Sequence, residues 1–573
     1  MTSETRRCQN CKKEFTIEPE DFAFYERIQV PPPTWCPECR MQRRFAWRNE
    51  RTLFRNKCAA TGKAVISCFA PDSGITVYDR DYWWSDAWDP LAFGADYDFS
   101  RPFFGQFAEL LKKVPMPAVF NARTVNSSYV NYVGEYKDAY LVSASWDGEN
   151  VCYASRCNAS KDIVDAFAIN NCSLCSYDVG SSKLFNVHFS SESEGCADSW
   201  FLFGCKGCTD CFGCTNLRNK SYCFFNEQLS REEYGKRVAA IDLGSFRQLE
   251  ETKKKFEVLK LGAIRKYATF VSCNNVTGDR LYNVADSRFC FDSYGNVKDC
   301  KYLTNALSAT DTYDGYGVGG NCELLYEGFD SGVEASRQYF VGSVYGTNDA
   351  RYALNCHGSS NLFGCIGLRN REYCVLNKQY SKEEYKTLIP KIIEQMGKVP
   401  YVDGRGRTYG YGEFFPTELS PFAYNETVAN DYFPLTRERA SESGFAWREA
   451  DAPRHTITKK AGELPDDIKE TPDSITREII ECSSCGKPYQ IIGKEYDFLK
   501  KINAALPRKC FECRHGERFR SVNPPKLYHR SCMCDKKTHF HGEGRCSNEF
   551  ETSYAPERKE VIYCEQCFNA EIV

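Results

Sequence analysis

Between about residues 120 and 380, apolar and aromatic positions return at intervals of eleven. Cys152, Ile163, Leu174, Phe185 and Cys196 form one series, and Phe201, Phe212 and Cys223 a second. Phe291, Tyr302, Tyr313 and Leu324, then Val341, Tyr352, Phe363 and Cys374, continue it downstream. An apolar period of eleven can mark a right-handed coiled coil. The intervening Asn, Gly, Ser and Asp argue against one, because they favour turns over helix. The pattern predicts a strand-and-turn β-solenoid, in which each short strand adds one inward side chain and two or three steps complete a coil.

A longer period lies on top. Cys214–Cys223 reads Cys-Thr-Asn-Leu-Arg-Asn-Lys-Ser-Tyr-Cys, and Cys365–Cys374 reads Cys-Ile-Gly-Leu-Arg-Asn-Arg-Glu-Tyr-Cys, an offset of 151. The same offset carries Ser230-Arg231-Glu232-Glu233 onto Ser381-Lys382-Glu383-Glu384. Ser-x-x-Glu is a capping box. It predicts a long charged helix over about 230–260 and a second over about 381–397, each covering the open edge of a solenoid half.

Cysteine changes the picture at the two ends. The chain has 573 residues and 32 Cys. Cys8-x2-Cys11 is followed after 24 residues by Cys36-x2-Cys39, and Cys482-x2-Cys485 is followed after 24 by Cys510-x2-Cys513. Each Cys of the second set lies 474 positions after its counterpart in the first. Two Cys-x2-Cys knuckles facing each other close a tetrahedron of thiolates around Zn²⁺ and leave no open position for chemistry. A third site is expected from Cys534, Cys546, Cys564 and Cys567. Cys532, His539 and His541 compete for the place given to Cys534. The N-terminal copy has Asp79 and Tyr82 where Cys564 and Cys567 stand, so Cys58 and Cys68 are expected to hold no metal. The cofactor expected is therefore Zn²⁺ at three structural sites. Cys205-x2-Cys208-x2-Cys211-x2-Cys214 approaches an iron–sulfur spacing but lacks its final three-residue gap and Pro. It reads as core cysteine, with an iron–sulfur or redox role as the alternative.

These motifs resemble a bacterial zinc-ribbon family of uncultured small-genome organisms. The resemblance rests on four stretches: Pro33-x-x-Cys36-Pro37-x-Cys39-Arg40, Phe45-Ala46-Trp47-Arg48-Asn49-Glu50, Leu362-Phe363-Gly364-Cys365-x-Gly367-Leu368-Arg369-Asn370, and the C-terminal Cys564-x2-Cys567. The N-terminal part is similar to a probable zinc-ribbon domain. The resemblance implies zinc binding. Relatives sometimes carry a CoA-transferase label, but such enzymes are doubly wound α/β proteins, and this chain shows no alternating strand–helix units.

The expected organisation is mainly β. A zinc ribbon at 1–60 is followed by a degenerate second ribbon and linker helix at 61–119. Solenoid halves occupy 120–228 and 268–380, with a helical linker at 229–267 and a capping helix at 381–397. An irregular connector at 398–480 leads to a second zinc ribbon at 481–525 and a C-terminal ribbon at 526–573. Within the connector, Phe445-Ala446-Trp447-Arg448 echoes Phe45-Ala46-Trp47-Arg48 and is expected to dock on a ribbon or a solenoid.

Charge is nearly balanced, with 74 Lys+Arg against 77 Asp+Glu. Any basic footprint must therefore be local. Arg40, Arg43, Arg44, Arg48 and Arg51 cluster around Trp47, and Arg514, Arg518 and Arg520 cluster near Phe519. Cations interleaved with aromatics suit backbone neutralisation and base stacking on RNA or single strands. They equally suit a protein partner, or neutralisation of a four-thiolate zinc site. The expected function is a non-catalytic zinc-binding scaffold or adaptor for nucleic acid or protein. The alternative is a carbohydrate-active enzyme using acids such as Asp286, Asp292, Asp311 and Asp314, which read first as turn residues. Mean hydropathy is −0.52, and the N-terminus shows no secretory pattern, so a cytoplasmic location is expected, with no membrane and no small-molecule substrate.

Overall fold

The computed structural model describes residues 2–449 and 455–572. The connector assigned to 398–480 thus contains residues, 450–454, that lie outside the described set. The chain is mainly strand, and no described helix is long and apolar enough to cross a membrane. It divides into two compact units. One comprises Met1–Val119, Ala268–Glu449 and Pro525–Leu527; the other comprises Phe120–Tyr267, Ala450–Pro524 and Tyr528–Val573. Each unit joins a terminal Cys-rich module to the strand ladder farther from it in sequence.

The second unit's ladder has nine strands stacked in chain order from Asn131–Lys137 to Glu227–Gln228. All pairs but the last are parallel, and partners lie 12 residues apart, as in Val151↔Ile163, Cys175↔Ile163 and Cys211↔Cys223. The first unit's ladder has ten strands with the same plan, stepping by 11 at its first pair, Phe270↔Leu281, and by 12 or 13 after it, as in Lys301↔Tyr313 and Glu323↔Ser336. In this register the chain pairs in parallel with itself every 12 residues, and each 12-residue repeat is one circuit of the ladder. The interval of eleven is therefore corrected to twelve, and a single such repeat, not two or three, brings the chain back beside its previous strand.

The local rule is a period of three. Arg156, Ala159, Asp162, Asp165 and Ala168 all have φ between 53° and 60° except Ala159, at 45°. Each precedes a buried residue: Cys157, Ser160, Ile163, Ala166 and Ile169. Each 12-residue repeat thus bends four times and buries one side chain after each bend. A left-handed residue other than Gly costs roughly 1–2 kcal/mol, least for Asn and Asp. Ladder hydrogen bonds on both sides of each circuit offset that cost.

Many of the buried positions that follow the bends carry small side chains. Cys205, Cys208, Cys211 and Cys214 are the four inward residues of one circuit, each fully buried. Their thiols donate to the carbonyls two residues back, at 3.6, 3.5, 3.5 and 3.4 Å. Inward Ser does the same, as Ser199 Oγ does to Ala197 O at 2.6 Å, and also accepts the N–H of the next circuit, as from Cys211 at 3.0 Å.

Both ladders end alike. A two-residue turn with φ of 48° and 65° at Phe225–Asn226, or 45° and 58° at Leu376–Asn377, folds back a short antiparallel strand. Positive φ at both central residues matches the twist of a hairpin. Ser230 and Ser381 then cap the helices Arg231–Ala239 and Lys382–Lys398. Tyr234 meets Tyr222 at 5.9 Å and Tyr385 meets Tyr373 at 5.8 Å, so the helices lie on equivalent last circuits. The single helix expected over 230–260 is two, Arg231–Ala239 and Phe246–Gly262, with Ser245 capping the second.

Candidate metal centres

The N-terminal module opens with a hairpin, Glu4–Arg7 paired to Glu14–Ile17. Its tip is a knuckle: Cys8 N–H donates to Lys13 O at 2.9 Å, and Lys12, at φ 63°, returns its N–H to Cys8 O at 3.0 Å. The second knuckle is the start of a helix, Pro37–Phe45, with Cys36 as N-cap and Cys39 in the first turn. Pro37 suits that first turn, where its missing N–H goes unused. The Cys36 N–H points at Cys8 Sγ, 3.3 Å away.

The module at 482–513 repeats this plan. Gly486, at φ 70°, occupies the knuckle position of Lys12 and donates to Cys482 O at 2.9 Å. Cys510 caps the helix Phe511–Ser521 and donates to Cys482 Sγ at 3.2 Å. The helix Gly493–Lys501 lies 474 positions after Pro19–Arg27.

Cys8, Cys11, Cys36 and Cys39 form one group with all ligand atoms within 4.8 Å of one another, and Cys482, Cys485, Cys510 and Cys513 form another. Sulfur separations are 3.7 Å for Cys11–Cys36, 3.8 Å for Cys482–Cys513 and 3.7 Å for Cys485–Cys510. A disulfide would set about 2.05 Å. A tetrahedron with metal–sulfur bonds of about 2.3 Å has edges of about 3.8 Å. Each group could hold a metal ion. Burial opposes ionisation of Cys482, yet N–H donors from Cys510, Cys485 and Ser484 outweigh it and bring the thiol down to about 6. Contact with the Cys36 and Cys39 thiols holds Cys8 well below the ordinary thiol range.

The third group is Cys532, Cys546, Cys564 and Cys567. Cys532 replaces the expected Cys534, because the knuckle again depends on an N–H aimed at its first sulfur: Cys564 N–H lies 3.2 Å from Cys532 Sγ. Cys534 instead joins His539, His541 and Cys567 in a fourth group.

Strand register relates this module to the degenerate one. Tyr528–Ser531 pairs with Glu549–Thr552 as Phe54–Lys57 pairs with Ala64–Ser67. Cys532 thus corresponds to Cys58, and Cys546, Cys564 and Cys567 correspond to Thr61, Asp79 and Tyr82. Cys68 corresponds to Ser553, not to any ligand. The knuckle shape persists there, with Gly62 at φ 72° donating to Cys58 O at 2.8 Å. Arg448 of the 445–448 echo docks on this module, 2.8 Å from Asp72.

The basic residues are not an open surface. Arg40, Arg43 and Arg44 are at most 1% exposed, and Trp47 and Arg48 are buried as well. Arg40 Nη2 lies 2.8 Å from Asp314 Oδ2 and Arg44 Nη1 lies 3.0 Å from Asp314 Oδ1. Arg43 pairs with Glu327 at 2.7 Å and Glu413 at 2.8 Å, and Arg48 with Glu50 at 2.7 Å. Arg51, half-buried, pairs with Asp431 at 2.9 Å. In the second unit, buried Arg514 lies 3.3 Å from Asp165 Oδ2 and 2.6 Å from Glu495, and buried Arg518 lies 2.7 Å from Asp165 Oδ1. Arg520 is exposed. The expectation of a phosphate-binding face is corrected for Arg40, Arg43, Arg44, Trp47, Arg48, Arg514 and Arg518: ladder and connector carboxylates and aromatic rings cover them.

Asp165 and Asp314 both sit at ladder bends, with φ of 60° and 58°, where Asp tolerates the left-handed conformation. Among the carboxylates considered for glycoside chemistry, Asp292 pairs with Arg280, Asp311 with Arg27 and Asp286 with Asn275. Cys205–Cys214 are not among the groups of described residues that could hold an ion.

Compared with known proteins, the chain matches no protein-family model and no curated protein.

Proposed function

We propose that the chain is a non-catalytic, zinc-stabilised scaffold. In this reading each ladder is a β-solenoid, and a zinc-ribbon helix is clamped along its flank. The observation that carries it is the sulfur geometry: closed sets of four thiolates with edges near those of a tetrahedral zinc site. Cys-x2-Cys knuckles of this kind favour Zn²⁺, although iron accepts the same sulfur set. The solenoid reading is supported by twelve-residue parallel register and a bend every third residue.

Closed sites have no metal-bound water, so their role is to hold structure. Zinc fixes the first turn of each ribbon helix, and that helix presents Arg40 and Arg44, or Arg514 and Arg518, to one buried aspartate. Of the two partner classes, a protein is favoured over nucleic acid, because most of the clustered cations are already committed to carboxylates. Elemental analysis with an absorption spectrum tests the reading. Zinc with no visible band is expected; iron with a coloured spectrum, or no metal, would reject it.

A further inference from the structure

The fourth group has no counterpart in the N-terminal copy. Six residues separate the strands of the Phe54–Lys57 hairpin, whereas seventeen separate those of Tyr528–Ser531, an insertion of eleven. Cys534, His539 and His541 all lie in that longer loop. Cys534 Sγ is 3.1 Å from His539 Nδ1 and 3.4 Å from His541 Nε2. Their fourth member, Cys567, already belongs to the third group.

We propose that the C-terminal ribbon holds two metal ions bridged by the Cys567 thiolate, the second bound by Cys534, His539 Nδ1, His541 Nε2 and Cys567. The proposal rests on the reading that these soft, tetrahedral sites hold zinc. Three observations favour it. First, the donor set is complete and mostly buried: Cys534 and Cys567 are fully buried, His539 is 9% exposed and His541 is half-buried. Second, His539 Nε2 lies 2.9 Å from Glu571 Oε1. With Nδ1 facing the ion, Nε2 carries the proton and donates to that carboxylate, the usual support behind a metal-bound imidazole. Third, charge favours a second ion. Zn²⁺ in four thiolates alone leaves a buried net charge of about −2, whereas two Zn²⁺ in five thiolates and two neutral imidazoles leave about −1.

A thiolate keeps lone pairs after binding one ion, so bridging needs no change in backbone. The insertion therefore reads as a loop recruited to convert a single site into a pair.

The test uses the full chain, purified without chelator. Four zinc per chain are expected. Three would overturn the second ion while leaving the scaffold reading intact, and none would remove both. The double variant His539→Ala/His541→Ala should hold three and keep its far-ultraviolet circular dichroism; retention of four would contradict the assignment. Glu571→Gln should weaken the last-bound ion by about 10–100-fold. Full replacement by Co²⁺ separates a bridged pair from two independent ions. Bridging couples two of the four cobalts, so the low-temperature electron paramagnetic resonance signal should integrate to about half the cobalt. A signal accounting for all four would overturn the bridge.

Discussion

Arg518 Nη1 lies 2.7 Å from Asp165 Oδ1, and both side chains are buried. One turn earlier, Arg514 faces the other oxygen of the same carboxylate. Arg40 and Arg44 hold Asp314 in the same way. The arginines of the two pairs are 474 positions apart, and each takes an aspartate from the bend of a different ladder. A shared latch thus joins ribbon to ladder within each unit.

Breaking that latch from the acid side is expected to be severe. Asp165→Ala removes the carboxylate that faces two buried guanidinium groups and leaves Arg514 with Glu495 alone. Removing one member of a buried ion cluster costs about 3–5 kcal/mol. Urea denaturation of the full chain should show the loss, and Asp314→Ala should behave alike. A change below about 0.5 kcal/mol, the range of ordinary surface substitutions, would contradict the latch.

The basic residues should separate into two classes. Arg520→Ala is expected to change stability by less than about 0.5 kcal/mol, as surface substitutions do. Arg518→Ala should lower it by about 3 kcal/mol or more, because Asp165 loses a buried charge partner.

Two ladder histidines give a pH dependence. Burial holds His188 and His357 down to about 3, well under their ordinary 6.5. The unfolded chain therefore gains protons below about pH 6.5 that the folded chain does not accept until about 3. Their contribution is whole above 6.5 and is lost as pH falls through that window, with a slope of up to about 1.4 kcal/mol per pH unit for each. His188→Gln should flatten the curve over this range, measured by urea midpoints between pH 6.5 and 4. An unchanged slope would show that His188 titrates normally.

The four cysteines of one circuit should tolerate serine. At the matching circuit of the other ladder, Ser359 donates to His357 O at 3.0 Å, as Cys208 does to Lys206 O at 3.5 Å. Cys208→Ser is expected to cost no more than about 2 kcal/mol in thermal denaturation and to leave the metal content unchanged. Loss of a metal ion with that substitution would place a metal in the circuit.

Much of this was legible in the sequence. The offset of 474 located both four-thiolate modules, and Ser230 and Ser381 marked the helices that follow each ladder. The twelve-residue circuit was hidden because its inward positions include Ser160, Asp178 and Ser181, which no apolar count detects. Series such as Leu174 and Phe185 slip by one residue per circuit, so Phe185 ends 55% exposed. The arginine clusters misled for a different reason. The carboxylates shared by the paired arginines, Asp314 and Asp165, lie more than 250 residues from them, and no local pattern shows that Asp314 will cover Arg44. The choice of Cys532 over Cys534 depended on a backbone N–H, which only the fold positions.

The most direct measurement is X-ray absorption at the zinc edge of the intact protein. A shell dominated by sulfur at about 2.3 Å, with a minor nitrogen component near 2.0–2.1 Å, is expected. A shell of oxygen or nitrogen alone, or protein that retains no zinc, would contradict the account.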